Sequence, residues 1–478
     1  MRPLCAATFA GLALPLLGCF SGGCAHFNPQ PISPGATAQT FDARSLADPG
    51  LQVFLRANHA FRGDSPGTWN LRALTWVAFY YQPDLEEARM RWKVAHAGQI
   101  TAGARPNPSI TLQPAYDNQI PGATPWVWTP SLDIPIETAG KRGYRLAEAR
   151  ASAEAANWSL VEAVWRARAN VRDAMLNLES ADRGQALLGR QEQTQARIVR
   201  LLQGQLKAGN VSSYVVTQAE VAFETAQIAL QGAQRQAADS RTQLAAALGL
   251  PRRALKGIPI AFPALERIPE GLIGTEARHQ ALHDRPDVRG ALARYAAKQA
   301  ALQLEIAKQY PDIHLGPGYS WNSGSVSDNM WQLGVTLTLP ILNRNQGPIA
   351  EARAARAQAA AQFLATQATA INEVDGALAG YDSARQEAAT AAALRKHLRR
   401  SFDSVLAMQR AGEADALAVA NAEIQYDTSA LAELKALVRV RRALNALEDA
   451  TESPIVLSES AVARAERTPT PPFPSHEP

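Results

Sequence analysis

The reactive side chains of this sequence are few and crowd its start. Its three cysteines are Cys5, Cys19 and Cys24, so nothing after residue 24 can form a disulfide. The opening MRPLCAATFAGLALPLLGCFSGGC carries one arginine, an apolar stretch from Ala6 to Leu17 and then a small residue. This is the pattern of a secretory leader, too short to anchor a chain in a bilayer. Leu16-Leu17-Gly18-Cys19 also has the form of a lipobox, in which the cysteine thiol is acylated and the residue becomes the first of the mature chain. Cys19 is the first candidate for lipidation and Cys24 the alternative; a plain secretory cut is the third reading.

Other chemistry is sparse. His279 and His283 stand four apart on an expected helix, a spacing that can bring two imidazoles to one metal. A third ligand is not evident, with Asp284 and Asp287 as the only nearby candidates, so an exposed helix end is expected and no metal is assigned. The sequence has no phosphate loop, no paired-cysteine metal site and no Gly-x-Ser-x-Gly elbow. No enzyme and no cofactor are expected. A net charge of +4, or +3 without Arg2, is too near balance for a nucleic-acid binder. Beyond the N-terminus no run of 18 apolar residues exists, which argues against a helical membrane span.

The elements that would carry any function repeat. The segment beginning QPDLEEARMRW at residue 82 parallels the one beginning RPDVRGALARY at residue 285. Pro83 matches Pro286, Pro108 matches Pro311 and Gly209 matches Gly412, each 203 residues apart; Pro135 matches Pro340 at 205. Four ordered matches at nearly one offset indicate duplication. Each copy reads helix, strand, strand, long helix, tight turn, helix. The first helices are expected at about 74–103 and 277–309. The long helices are expected from Lys141 to Ala208 and from Pro348 to Ala411, and the last helices at about 212–249 and 415–450. Val161, Val164, Val171, Met175 and Leu178 follow a coiled-coil seam. Gly209 in KAGN and Gly412 in RAGE supply the freedom to end each long helix and turn.

Six segments follow: a lipoprotein-type leader at 1–18, an N-terminal extension at 19–72 with little regular pattern from residue 25 onward, and a first repeat at 73–250. A linker at 251–273, a second repeat at 274–452 and a Pro-rich tail at 453–478 complete the chain.

Strands are expected at about 109–116 and 126–136 in the first copy, and at about 312–322 and 330–339 in the second. Their residues alternate. Ile110, Leu112 and Tyr116 face away from Ser109, Thr111 and Gln113; Leu132 and Ile134 face away from Ser131 and Asp133. In the second copy Ile313, Leu315 and Tyr319 oppose His314, Gly316 and Ser320, while Leu333 and Val335 oppose Gln332 and Thr336. Period two usually marks a half-buried soluble strand. These strands, however, have the length that crosses a bilayer. Tyr116, Trp126, Trp128, Tyr319, Trp321 and Trp331 all fall near the loop ends of their hairpins, where an interfacial aromatic girdle belongs. Four strands cannot close into a barrel, and an open edge is not tolerated in lipid. Chains must therefore associate: two copies give eight strands and a filled bore, three give twelve and room for water. Small polar inward residues favour three.

At this point the sequence resembles the TolC family of outer-membrane efflux channels. The resemblance covers nearly the whole mature chain. It rests on the duplication, on the strand boundaries AGARPNP and LPILNRNQG, and on the tips KAGN and RAGE. It implies a mainly α fold with a small transmembrane β part. Three chains would form a 12-stranded β-barrel in the outer membrane, continuous with a periplasmic α-helical barrel. It implies a homotrimer, a periplasmic adaptor protein and an inner-membrane pump, expected to be proton-driven, with outer-membrane lipid around the barrel. On this reading Lys207, Gly209, Asn210, Arg410, Gly412, Glu413 and Asp415 are the candidates for adaptor contact and gating. The expected activity is passive efflux of metal ions or small organic compounds. A channel for type I protein secretion and a periplasmic coiled coil without channel activity are the alternatives.

Overall fold

The computed structural model describes residues 27–60, 69–116, 126–262, 281–322 and 330–452. The leader, Cys19, Cys24, His279 and the tail at 453–478 lie outside the described residues. The chain divides into two compact units, Met1–Arg44 and Ser45–Pro478. Within the first, α1 (Pro34–Ala43) starts on a proline, whose missing N–H costs nothing at a helix's first turn.

The second unit opens with α2 (Pro49–Ala57), capped by the Asp48 side chain accepting from the Leu51 N–H at 3.0 Å. The helices α1 and α2 correct the expectation of little regular pattern before residue 72. Both start on Pro34 or Pro49 beside a residue in extended or near-extended backbone, a local signal that periodicity over so short a span does not reveal. Next come α3 (Leu71–Tyr81) and α4 (Pro83–Gly103), where one helix was expected over 74–103. The break has a backbone cause: the residue before a proline is pushed out of the helical region, and Gln82 has ψ 118°. In the second copy α7 (Pro286–Ala307) likewise starts at the matching proline.

Strands β1 (Ser109–Tyr116) and β2 (Trp126–Ile136) lead into α5 (Lys141–Lys207), followed by α6 (Ser213–Ala247). The second copy gives β3 (Ile313–Asn322), β4 (Met330–Leu337), α8 (Gln346–Arg410) and α9 (Ala416–Thr451). Strand β4 ends two residues short of the expected 339. At 67 residues α5 is about 100 Å long. The 205-residue offset at Pro135 and Pro340 is absorbed locally. The second hairpin and its lead-out are two residues longer, and α8 is two residues shorter than α5 at 65, which restores the tips to matching positions.

Packing follows from the apolar seams. Val164, Val171, Met175 and Leu178 of α5 are buried together with Trp76 and Phe79 of α3, Leu51 and Leu55 of α2, Leu244 of α6 with Leu248 just past its end, and Val438 of α9. Trp76 meets Phe79 edge to face, ring centroids 5.4 Å apart. Beyond this core, α5 and α9 are tied by buried charge. Glu448 accepts from Arg168 and, at 2.8 Å, from Arg172, whose other nitrogen reaches Asp449 at 2.6 Å. Arg441 donates to Glu179 at 2.9 Å. These pairs join the first repeat to the second, so the halves interlock.

Candidate functional site

Strand register decides what the hairpins make. The four strands form one antiparallel sheet in the order β1-β2-β3-β4. Each hairpin's first partner is therefore the other hairpin of the same chain, through β2 and β3, and only β1 and β4 keep an open edge among the described residues. Sequence alone cannot pair β2 with β3, because they lie in different repeats.

Register also merges the alternations into two faces. Ile110 pairs with Leu132, Ile134 with Leu315, and Leu315 with Val335. Cβ atoms alternate across a strand and align between strands. One face is consequently apolar across all four strands. Tyr116 pairs with Trp126, Trp128 with Trp321, and Tyr319 with Trp331, all toward the loop end. The six aromatics predicted as a girdle thus form a band on that one face. Their rings touch: Tyr116 and Trp126 lie 5.2 Å apart, Tyr319 and Trp331 4.8 Å. Among the described residues nothing covers this apolar face. Trp331 is 80% exposed and Leu333 70%, an arrangement that water disfavours over such an area.

The opposite face carries Ser109, Thr111, Gln113, Thr129, Ser131, Gly316, Gly318, Gln332 and Thr336. In all four strands the only Asp, Glu, Lys, Arg or His residues are Asp133 and His314. They are on this polar face and they meet: His314 Nδ1 lies 3.0 Å from Asp133 Oδ1. Strand alternation places both residues on the polar set but gives no reason to join two positions 181 apart.

Where the sheet meets the helices, Asp312 accepts from Lys141 Nζ at 2.7 Å and from the Thr138 N–H at 2.9 Å. Lys141 also donates to the Tyr310 carbonyl at 2.7 Å. On the other hairpin, Asn345 Nδ2 donates to Glu305 Oε2 at 2.8 Å. Both long helices therefore start from fixed points at the base of the sheet.

At the far ends of α5 and α8 the two turns are copies of each other. Asn210 N–H donates to Gln205 O at 2.9 Å and Gly209 N–H to Leu206 O at 3.0 Å. Glu413 N–H to Met408 O and Gly412 N–H to Gln409 O repeat the pattern at 2.9 and 3.0 Å. This is the glycine-terminated Schellman turn, with φ +76° at Gly209 and +81° at Gly412. An apolar cluster of Ile198, Leu202 and Val216 with Ala420 holds the two ends side by side. Lys207, Gly209, Asn210, Arg410, Gly412, Glu413 and Asp415 are thereby brought to one region, all exposed. Asp415 also acts locally, because its carboxylate caps α9 by accepting from the Ala418 N–H at 2.7 Å. Among the described residues no group of three or more His, Cys, Asp or Glu comes together. No described helix is long and apolar enough to cross a membrane.

Comparison with known proteins adds to this geometry. A family model described as "Outer membrane efflux protein" matches residues 80–250 and 277–452. The "Cobalt-zinc-cadmium resistance protein CzcC" of Cupriavidus metallidurans is 26% identical over 307 residues, covering 64% of this chain and 71% of that protein. Among solved structures, the outer-membrane channel OprN superposes with a TM-score of 0.68 at 20% identity, over 90% of this chain and 98% of that one. The Campylobacter jejuni CmeC outer membrane channel superposes with a TM-score of 0.67 at 18% identity, over 83% and 88%.

Proposed function

The chain belongs to the outer membrane efflux protein family, and from that premise we propose that it is the outer-membrane duct of a tripartite efflux system. The observation that carries the reading is the two-faced sheet. Its uncovered apolar face with an aromatic band suits lipid, and its small polar face suits a water-filled lumen. The open edges of β1 and β4 need partners in a bilayer. Head-to-tail pairing of β1 with β4 of the next copy closes a ring, and three copies give twelve strands with room for water.

On this reading the three chains' long helices continue the duct into the periplasm. The tips at Lys207–Asn210 and Arg410–Asp415 face a periplasmic adaptor that connects to an inner-membrane pump, proton-driven in this proposal. Exposed Lys207, Arg410 and Glu413 offer charge for links between protomers that break on opening. The leader is removed after residue 18 with Cys19 taking the acyl anchor, or else after residue 23 with Cys24 taking it. The six segments set out from the sequence belong to the same proposal. The reading assigns the chain no catalytic step. For cargo, the name of the Cupriavidus relative favours divalent metal ions over small organic compounds.

The test is growth of a deletion strain on divalent metals, dyes and antibiotics, complemented by wild type or by a variant lacking both hairpins. Hypersensitivity rescued by the wild type alone is the expected result. Growth unchanged across the panel, in a strain without redundant channels, contradicts it.

A further inference from the structure

The polar face of the sheet carries no net-charged ring of lysines or acids. It carries one ionisable pair, Asp133 and His314, and ionisable groups at membrane depth are costly enough to be read as functional. The pair is diagonal across β2 and β3, near the end of the sheet nearest the helices, where Ile136 pairs with Ile313. Both oxygens of Asp133 lie near His314 Nδ1, at 3.0 and 3.1 Å. An ionised carboxylate only accepts hydrogen bonds, so Nδ1 carries the proton and a neutral ring leaves Nε2 with a free lone pair. Among the described residues no hydrogen bond engages Nε2. The side chain is 38% exposed, open to whatever occupies the polar side.

The other nearby carboxylate is already occupied. Asp312 is held by Lys141 and by the Thr138 N–H, which leaves Asp133 as the uncompensated negative charge beside the imidazole. A carboxylate that orients an imidazole through one nitrogen and raises the basicity of the other is the usual outer partner of a metal-bound histidine. Neutral imidazole suits borderline divalent cations such as Zn²⁺ and Co²⁺, and not Mg²⁺.

We infer that His314, held by Asp133, is a binding step for divalent transition-metal cations in the wall of the duct. The inference rests on the reading of the polar face as a lumen and names the cargo class it favours. One protein nitrogen per chain, with water in the remaining positions, gives a weak and exchangeable site. A duct needs that, since a cation held tightly does not leave.

The test uses the full-length protein purified in detergent as its natural assembly, with ZnCl₂ as probe and MgCl₂ as control, in equilibrium binding measurements. Wild type is expected to take up one more Zn²⁺ per chain than His314→Ala, with Mg²⁺ uptake equal in both. Asp133→Asn is expected to weaken that site about 10- to 100-fold. On unaltered protein, Zn²⁺ is expected to protect His314 from acylation by diethylpyrocarbonate, read by mass spectrometry. Equal Zn²⁺ uptake by wild type and His314→Ala, or no protection of His314, overturns the site. Ion conductance of the same preparation in planar bilayers separates this from the wider reading. A conducting protein without His314-dependent uptake keeps the duct and refutes the site. Uptake at His314 in a protein that does not conduct keeps the site and refutes the duct.

Discussion

Trp128 of β2 lies directly opposite Trp321 of β3, although the two belong to different repeats 193 positions apart. That pairing turns two marginal hairpins into one sheet and two short aromatic clusters into one band. It also puts the large apolar strand residues, Val127 and Met330 excepted, on the same side, which is the basis for assigning that side to lipid.

The two faces differ in what they tolerate. Leu333→Arg places a charge on the lipid side, at a cost of ~2–4 kcal/mol near the bilayer midplane. Gln332→Arg, one residue away on β4, points to the opposite face and is tolerated. Heat-resistant oligomer on unboiled gels is expected to be lost for the first and kept for the second.

Much of this was legible in the sequence. Strict alternation, the aromatic positions and the matched prolines and glycines locate the hairpins, the long helices and both tips. What was not legible depends on tertiary pairing. The β2–β3 register, the Asp133–His314 contact and the charge cluster of Arg168, Arg172 and Glu448 each join residues from different repeats. Helical periodicity also ran across Pro83, where a local backbone restriction overrides the apolar pattern.

Glu448 is the single carboxylate that serves both Arg168 and Arg172, and all three side chains are buried. Removing it leaves two guanidinium groups poorly compensated. Glu448→Ala is therefore expected to destabilise the fold by ~3–5 kcal/mol, measured as a shift in the denaturation midpoint. Arg166→Ala, in the exposed pair with Glu162, is expected to change stability by less than ~1 kcal/mol.

At the tips, a Cβ added to Gly209 or Gly412 meets no atom within 4 Å. The cost of alanine there is purely the left-handed backbone, ~1–2 kcal/mol. Gly209→Ala and Gly412→Ala are expected to speed hydrogen exchange of the Asn210 and Glu413 amides by about 5- to 30-fold, leaving the core amides unchanged. Asparagine, which tolerates this conformation, is expected to cost less.

Burial, reinforced by the negative charge of Asp287, pushes the Glu452 carboxyl up to about 8 against the opposing pull of Arg285. Between pH 4.5 and 8 the unfolded carboxyl is ionised while the folded one keeps its proton, so folding becomes less favourable as pH rises through that window. Glu452→Gln is expected to stabilise the protein by up to ~5 kcal/mol above pH 8, with the gain vanishing below pH 4.5. Thermal denaturation of both proteins across that range measures it.

The assignment of one face to water and the other to lipid is tested most directly by cysteine scanning along β2 and β4, in a background whose acylated cysteine is kept and whose remaining mature-chain cysteine is replaced by serine. Single cysteines at Thr129, Ser131, Gln332 and Thr336 are expected to react with a membrane-impermeant maleimide in the assembled, membrane-inserted protein. Cysteines at Leu132, Leu333 and Val335 are expected to stay unreactive, while a fluorophore attached there before insertion is quenched by spin-labelled lipid. Labelling that alternates with a period of two is the predicted result. Equal labelling along both strands would place both faces in water and contradict the account.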